Sequence, residues 1–466
     1  MRSRACALMG AGQVGHAAAC SPRRRREVTL TPTSEAIWIG YTTLYREGGA
    51  KFERAALTLA ADKRREHPDI DVRCEKVESK TEFLAAIRRL ADDGLLLREL
   101  HLIAHAGMYG PMFGSVAWPE QFSPHEWRTM KLPLGPGAGA FFHACRSARW
   151  FAPFFARTFG VPTHGYHWYT TVSSAKDRFR WDGLVGPEAP LYIFGMPGKK
   201  SHGVPGTVRK YLGLALPEQL RRFEPAPPEG DPSYDAVAAQ YDRVFADIRV
   251  RSDEWRWLDA RIPAGARVLD VGCGNGALLK LLAPCITSGV GVDASRGMID
   301  RARVRAAGEA NLRFEVIDGP TLPVPDASID VVVSLLSFRY LDWDPIMREF
   351  ARVLAPGGHL LVVDMVAAPL GLRDIPGLLR DKARTLVQQL RHREYHGELA
   401  RMVSDPKWQD MLRYNPIRAI HELRWYFNSR FPGGTVETLN TGWHARVLAF
   451  DTGPFELGRV TPQSFP

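Results

Sequence analysis

Val268-Leu-Asp-Val-Gly-Cys-Gly-Asn-Gly276 is the stretch on which the reading of this chain turns. Its apolar start, residues 268–271, has the character of a buried strand. Glycines at 272, 274 and 276 carry the chain through a tight turn, and the apolar run 278–282 opens a helix. Glycine accepts left-handed backbone and lets a ligand approach the main chain. The helix start behind the turn offers unpaired N–H groups. Asp293 follows Gly272 by 21 residues and ends the next predicted strand, where a carboxylate can accept hydrogen bonds from both hydroxyls of a ribose.

The loop is G-x-G-x-G, not the G-x-G-x-x-G that cradles a pyrophosphate. Asp270, just before it, would repel a phosphate and suits an ammonium. A ribose, an amino-acid group and no phosphate together describe S-adenosylmethionine. Outward from the loop, residues 268–271, 289–293, 312–317, 329–334 and 359–364 predict five strands with helices between them. In one such helix, 345–354, Ile346, Phe350, Val353 and Leu354 share a face. Residues 371–430 read as polar, Arg-rich helices, and 436–439 with 444–450 as a closing hairpin.

This half resembles the class I S-adenosylmethionine-dependent methyltransferases, especially the ubiquinone/menaquinone-type group (methyltransferase type 11), continuously over residues 234–366. The resemblance is carried by the glycine loop, Gly291-Val-Asp-Ala-Ser295, Ile317-Asp-Gly319, Leu322-Pro-Val-Pro-Asp-Ala-Ser-Ile-Asp330 and Arg352-Val-Leu-Ala-Pro-Gly-Gly358. It implies a Rossmann-like α/β domain of seven strands over residues 234–455, with a helical cap insertion at 371–430 and S-adenosylmethionine as cofactor. It further implies that Asp270, Gly272, Gly274 and Gly276 hold the methionine part. Asp293, with Ala294 beside it, would bind the ribose; Asp318 and Gly319 would meet the adenine. Ser334 and Leu335 would line the pocket after the fourth strand, and Tyr241 would belong to an N-terminal lid. Gly319 stands where many members carry alanine. Methyl transfer asks mainly for alignment and exclusion of water. An oxygen acceptor also needs a base, for which His421, Glu422 and His444 are candidates, though solvated or structural roles suit each of them better.

The first half, residues 35–216, also alternates strands and helices. Strands are predicted at 36–41, 70–77, 100–104, 138–142 and 161–166, and a helix at 148–159. His105 and Cys145 each follow a strand, so adjacent parallel strands would bring them to one sheet edge. That pair suits a thiol nucleophile with a histidine base; a small buried cysteine is the simpler alternative. Leu102-Ile-Ala-His-Ala-Gly107, Phe141-Phe-His-Ala-Cys-Arg-Ser147 and Phe159-Gly-Val-Pro-Thr-His-Gly-Tyr166 resemble the caspase-like hydrolases, including the bacterial CHAT-type domains. The resemblance implies a second, caspase-like α/β domain with His105 and Cys145 as its dyad. Ala106 departs from the family, where glycine directly follows the histidine, and this admits a non-catalytic caspase-like fold.

The chain has 466 residues, 45% of them apolar and 24% charged, which fits several globular domains and excludes wholesale disorder. Its net charge is +10, but Arg2, Arg4 and the four arginines at 23–26 supply +6 of it in an acid-free stretch. A nucleic-acid-binding face is therefore not expected. Gln13, His16 and the early glycines break the apolar run a signal peptide needs. Residues 1–34 thus read as a disordered basic tail, 217–233 as a Pro-rich linker and 456–466 as a C-terminal tail. Cys6, Cys20, Cys74, Cys145, Cys273 and Cys285 are widely spaced, which suggests reduced thiols and no metal site. A cytoplasmic protein without a membrane span is expected. The leading expectation is a methyltransferase acting on a small-molecule acceptor, with a caspase-like module before it. A caspase-like cysteine hydrolase with a regulatory methyltransferase half is the alternative. A third reading gives the first half a protein substrate or partner to deliver.

Overall fold

A computed structural model describes residues 34–197, 204–214, 216–227, 234–371, 374–415, 417–432 and 434–455. The expected tail (all but residue 34), part of the linker (228–233), the C-terminal tail, Cys6 and Cys20 lie outside them. The chain from Ser34 onward is one compact unit.

The first half contributes strands β1 (Glu35–Tyr41), β2 (Asp71–Lys76), β3 (Leu96–Ile103), β4 (Leu134–His143) and β5 (Thr163–Gly165). A hairpin of β6 (Tyr169–Ser173) and β7 (Tyr192–Met196) follows, then β8 (Arg221–Phe223). The sheet order is β8-β5-β4-β3-β1-β2, parallel throughout except for β8. β1 is buried from Ala36 to Tyr41, as expected for a parallel strand covered on both faces. Trp38, Phe83, Phe142 and Phe155 pack one face; Ile37, Ile39, Ala55 and Ala56 pack the other.

The predicted linker is corrected at its start. Arg221–Phe223 adds an antiparallel edge strand to β5, and Glu218 bridges Gly195. Between Pro217 and Pro225 the sequence holds no further proline or glycine, and it is this stretch that pairs. The predicted helix 148–159 begins at Phe151, and the predicted strand 161–166 shortens to β5.

The second half contributes β9 (Arg267–Val271), β10 (Ser288–Asp293), β11 (Leu312–Val316), β12 (Ile329–Leu335), β13 (Leu354–Ala367), β14 (Thr435–Thr441) and β15 (Ala445–Asp451). They form a seven-stranded sheet in the order β11-β10-β9-β12-β13-β15-β14, with only the last hairpin antiparallel. Chain order reverses at β9, so the glycine loop leaves the sheet at its topological switch point. The cap expected at 371–430 is four helices: Ile375–Arg391, Arg393–Ser404, Pro406–Tyr414 and Ile420–Arg430.

The two halves share a buried polar seam. Lys80 Nζ lies 2.6 Å from Glu126 and 2.9 Å from Asp344 of the other half. Arg430 donates to the Pro119 carbonyl (3.0 Å), and the His125 N–H donates to Asp342 (2.8 Å). Arg418 stacks between Tyr109 and Trp343, 3.9 and 3.6 Å from the ring centres. Sequence reasoning placed these residues in separate domains. The structure makes them one interior.

Candidate active site

The glycine loop has the backbone its composition requires. Gly272, Gly274 and Gly276 all have positive φ (76°, 53° and 72°). At Gly272 there is a second reason for glycine: a Cβ there would fall 2.3 Å from Ser337 Cβ. Ser337 Oγ donates to the Val271 carbonyl (2.7 Å) and sits 2.7 Å from Ser334 Oγ. Ser334, expected to line the pocket, is fully buried and props the loop from behind; Leu335 beside it is partly exposed. At Gly274 an added Cβ would meet only the Tyr241 ring, at a contact distance of 3.6 Å. Tyr241, on the helix Ala238–Val244, therefore lies on the loop as a lid residue would.

Asp270 is buried, and its Oδ1 has no hydrogen-bond partner among the described residues. Burial, with the charge of Asp293 behind it, pushes its pKa up to about 8. A buried carboxylate in that state lacks a cation. Asp293 is oriented by the Gly274 N–H (2.9 Å) and the Ser295 N–H (2.8 Å), one to each oxygen. Burial raises its pKa, partly offset by those bonds. Ser295 caps the helix Arg296–Arg305 and bonds Asp235, which also accepts the Gly297 N–H (2.9 Å). Ala294 and Asp318 are exposed at the rim. Gly319 has φ 94°, and a Cβ there would lie 3.6 Å from the ring of His125. The first half thus reaches the rim at Gly319.

These residues fit S-adenosylmethionine. The unpartnered Asp270 oxygen matches its ammonium, the oriented Asp293 its ribose, and the open backbone at Gly274 its methionine chain. Sequence reasoning missed part of the roof. Tyr241, Tyr340 and Trp408 gather around the Tyr234 ring, and Tyr234 donates to Tyr340 Oη at 3.1 Å. Of these, the sequence reading uses position 234 only as a domain boundary. Behind Tyr340, Arg339 is buried against Asp364, whose Oδ2 accepts its N–H at 2.5 Å.

His105 and Cys145 do reach one sheet edge. Ile103 of β3 pairs with His143 of β4, so both residues stand two beyond the same rung. They line a chamber of about 1190 Å³. His105 Nε2 lies 3.0 Å from the Glu47 carbonyl, to which it must donate. Cys145 Sγ accepts the Thr170 N–H (3.3 Å). Ala367, Ala368, His421, Glu422 and His444 line the same chamber, so the three candidate bases share it with the thiol. Glu422 is the most committed of them: it is buried, accepts the Met108 N–H (3.4 Å) and pairs with Arg418 (3.6 Å). Burial holds the pKa of His421 down, against the pull of Glu422, and Arg46 and Arg146 add to the lowering. Among the described residues no group of three or more His, Cys, Asp or Glu is arranged to hold a metal ion. No helix there is long and apolar enough to cross a membrane.

Sheet order, switch-point loop and paired acids define a class I methyltransferase that uses S-adenosylmethionine. A family model described as a methyltransferase domain matches residues 269–362. The 27-O-demethylrifamycin SV methyltransferase of Amycolatopsis mediterranei (strain S699) is 30% identical over 207 residues, 40% of this chain and 76% of that protein. The chain belongs to this methyltransferase family. Methyltransferase GfsG of Streptomyces halstedii is 35% identical over 164 residues, 34% of this chain and 53% of that protein. The demethylmenaquinone methyltransferase of Clavibacter sepedonicus is 32% identical over 144 residues, 30% of this chain and 59% of that protein. The chain therefore spans little more than half the length of these last two relatives.

Proposed function

We propose that the protein transfers a methyl group to a small organic acceptor held in the chamber between the two halves. The observation that carries the reading is the buried Asp270 beneath the glycine loop, whose Oδ1 has no partner among the described residues. The chamber supports the acceptor's place. It meets the carboxyl end of β13, two strands and roughly 10 Å from that of β9. Two relatives are named for organic molecules, 27-O-demethylrifamycin SV and demethylmenaquinone. S-adenosylmethionine, when bound, supplies a sulfonium methyl that is already electrophilic. Asp270 and Asp293 fix its position, and Tyr234, Tyr241 and Tyr340 exclude water above the loop. His421, held neutral by its surroundings, is the base best suited to take a proton from an acceptor hydroxyl.

In this reading the caspase-like first half serves as the far wall of the chamber. A second reading, a thiol hydrolase, draws on His105 and Cys145 sharing that chamber. Incubation with methyl-labelled S-adenosylmethionine separates the readings. A small-molecule extract of the source cells should take the label with wild type and not with Asp270→Asn. Label only in the protein fraction would overturn the small-acceptor reading. Peptide cleavage lost in Cys145→Ala would favour the hydrolase.

A further inference from the structure

The chamber's charges are unevenly satisfied. Asp182 is bound to Lys51 at 2.8 Å, Glu422 lies against Arg418, and Lys210 donates to Thr171 at 2.8 Å. Arg46 and Arg146 have no carboxylate within ion-pair distance among the described residues. Each instead lies over a tyrosine ring, Arg46 at 5.2 Å from Tyr45 and Arg146 at 5.5 Å from Tyr169. Glu47 is the one lining acid left to offset them.

Their backbones are also unusual. Four non-glycine residues have positive φ among the described residues, and two of the four are Arg46 (63°) and Arg146 (59°). Such conformations cost free energy and persist where the surroundings hold them. Arg46 comes from the segment after β1, and Arg146 from the turn after β4, on opposite sides of β3 in the sheet. Both line the same chamber, as does His421. Arg146 also donates to Tyr169 Oη at 3.4 Å, but neither guanidinium has a carboxylate partner among the described residues, and such a pair matches a planar oxyanion by charge and by donor geometry.

We infer that the chamber takes an organic anion, with a carboxylate or other oxyanion gripped between Arg46 and Arg146 and the apolar body against Ile420 and Trp425. That this anion is the methyl acceptor rests on the function proposed above; that it binds does not. The acceptor class is thus an anionic hydroxy compound rather than a neutral lipid-like quinone.

Cys145 lines the same chamber, and the exposed Cys285 provides an internal reference. Alkylation by iodoacetate and by neutral iodoacetamide, followed by peptide mass spectrometry, reads the field at each thiol. In wild type the iodoacetate/iodoacetamide rate ratio should be about tenfold higher at Cys145 than at Cys285, the gain expected of a cleft lined by one sign of charge. It should fall to the Cys285 value in Arg46→Gln/Arg146→Gln and survive in Arg46→Lys/Arg146→Lys. Equal ratios at the two thiols, or a ratio unchanged by the glutamines, would overturn the inference. If Cys145 takes neither reagent, equilibrium dialysis with labelled benzoate decides: retention by wild type but not by the glutamine variant supports it, and any other result overturns it. Neither reagent is a methyl acceptor, so this outcome is independent of whether methyl transfer is found.

Discussion

Asp270 carries an unusual burden for a single residue. It is buried with its Oδ1 unpartnered among the described residues, and in the free protein its pKa is pushed up to about 8. Two predictions follow from the sign of that shift. At pH 7 the free carboxyl is mostly protonated, and ammonium binding requires the carboxylate. S-adenosylmethionine binding at pH 7 should therefore release a proton and tighten as pH rises towards about 8. Titration calorimetry in buffers of different ionisation enthalpy measures the release; zero release would show that Asp270 is already ionised. Folding is linked to the same group. The folded state holds its proton up to about pH 8, whereas an unfolded aspartate loses it near the ordinary carboxylate value, so this contribution is fully present only below that value and is lost as pH rises towards 8. Asp270→Asn removes the ionisable group and should raise the melting temperature of the free protein at pH 8 while abolishing cofactor binding. Asp293→Ala should weaken binding by at least about tenfold, or about 1.4 kcal/mol, because it also releases the two N–H groups that shape the loop.

At the scale of elements, the glycine loop and the turn after β12 are one construction. Ser337 reaches the Val271 carbonyl only because Gly272 has no side chain. Gly272→Ala should cost roughly 1–3 kcal/mol through strained φ and overpacking, and Ser337→Gly in the same chain should recover part of the loss. Paired thermal melts test this; no recovery would place the clash elsewhere. The strands were largely legible in the sequence because parallel, doubly covered strands are continuous apolar runs bounded by turn residues. The edge strand β8 was not, nor were the two short hairpins between β3 and β4, in which Ala106–Gly107 pairs with Gly110–Pro111 and Phe113–Gly114 with Pro119–Glu120. A two- or three-residue pairing has no period to read, and Arg221-Arg222-Phe223 looks like a surface loop until β5 lies beside it.

The two halves share one buried ion cluster, in which Lys80 of the first pairs with Glu126 of its own half and with Asp344 of the other. Burial works against the Lys80 charge, but Asp344 and Glu126 outweigh it and keep the pKa above the ordinary lysine value. Burial likewise favours neutral Asp344, but Lys80 and Arg430 outweigh it and hold its pKa below the ordinary aspartate value. A depressed acid contributes stability above its unfolded pKa and loses it as pH falls further. Acidification below the ordinary carboxylate range should therefore loosen the contact between halves, seen as earlier proteolysis of the segment joining them. Lys80→Met leaves Asp344 and Glu126 without their shared cation and should cost about 3–5 kcal/mol in a cooperative melt of both halves. Independent melting of the two halves in wild type would contradict this coupling.

The sequence by itself determined the class of fold in the second half, the glycine loop and the two acids that fit the methyl donor. These are local: a turn that needs glycine and a carboxylate at a strand end are written in consecutive residues. It also put His105 and Cys145 at matching strand ends, since parallel strands in register bring equivalent positions together. Only the tertiary structure decided that Asp270 Oδ1 has no partner among the described residues, that His125 lies beside Gly319, and that Arg46, Arg146 and His421 line one chamber. Those facts depend on how distant segments pack, and packing between a first-half turn and a cap helix more than two hundred residues away leaves no period, spacing or motif in the chain.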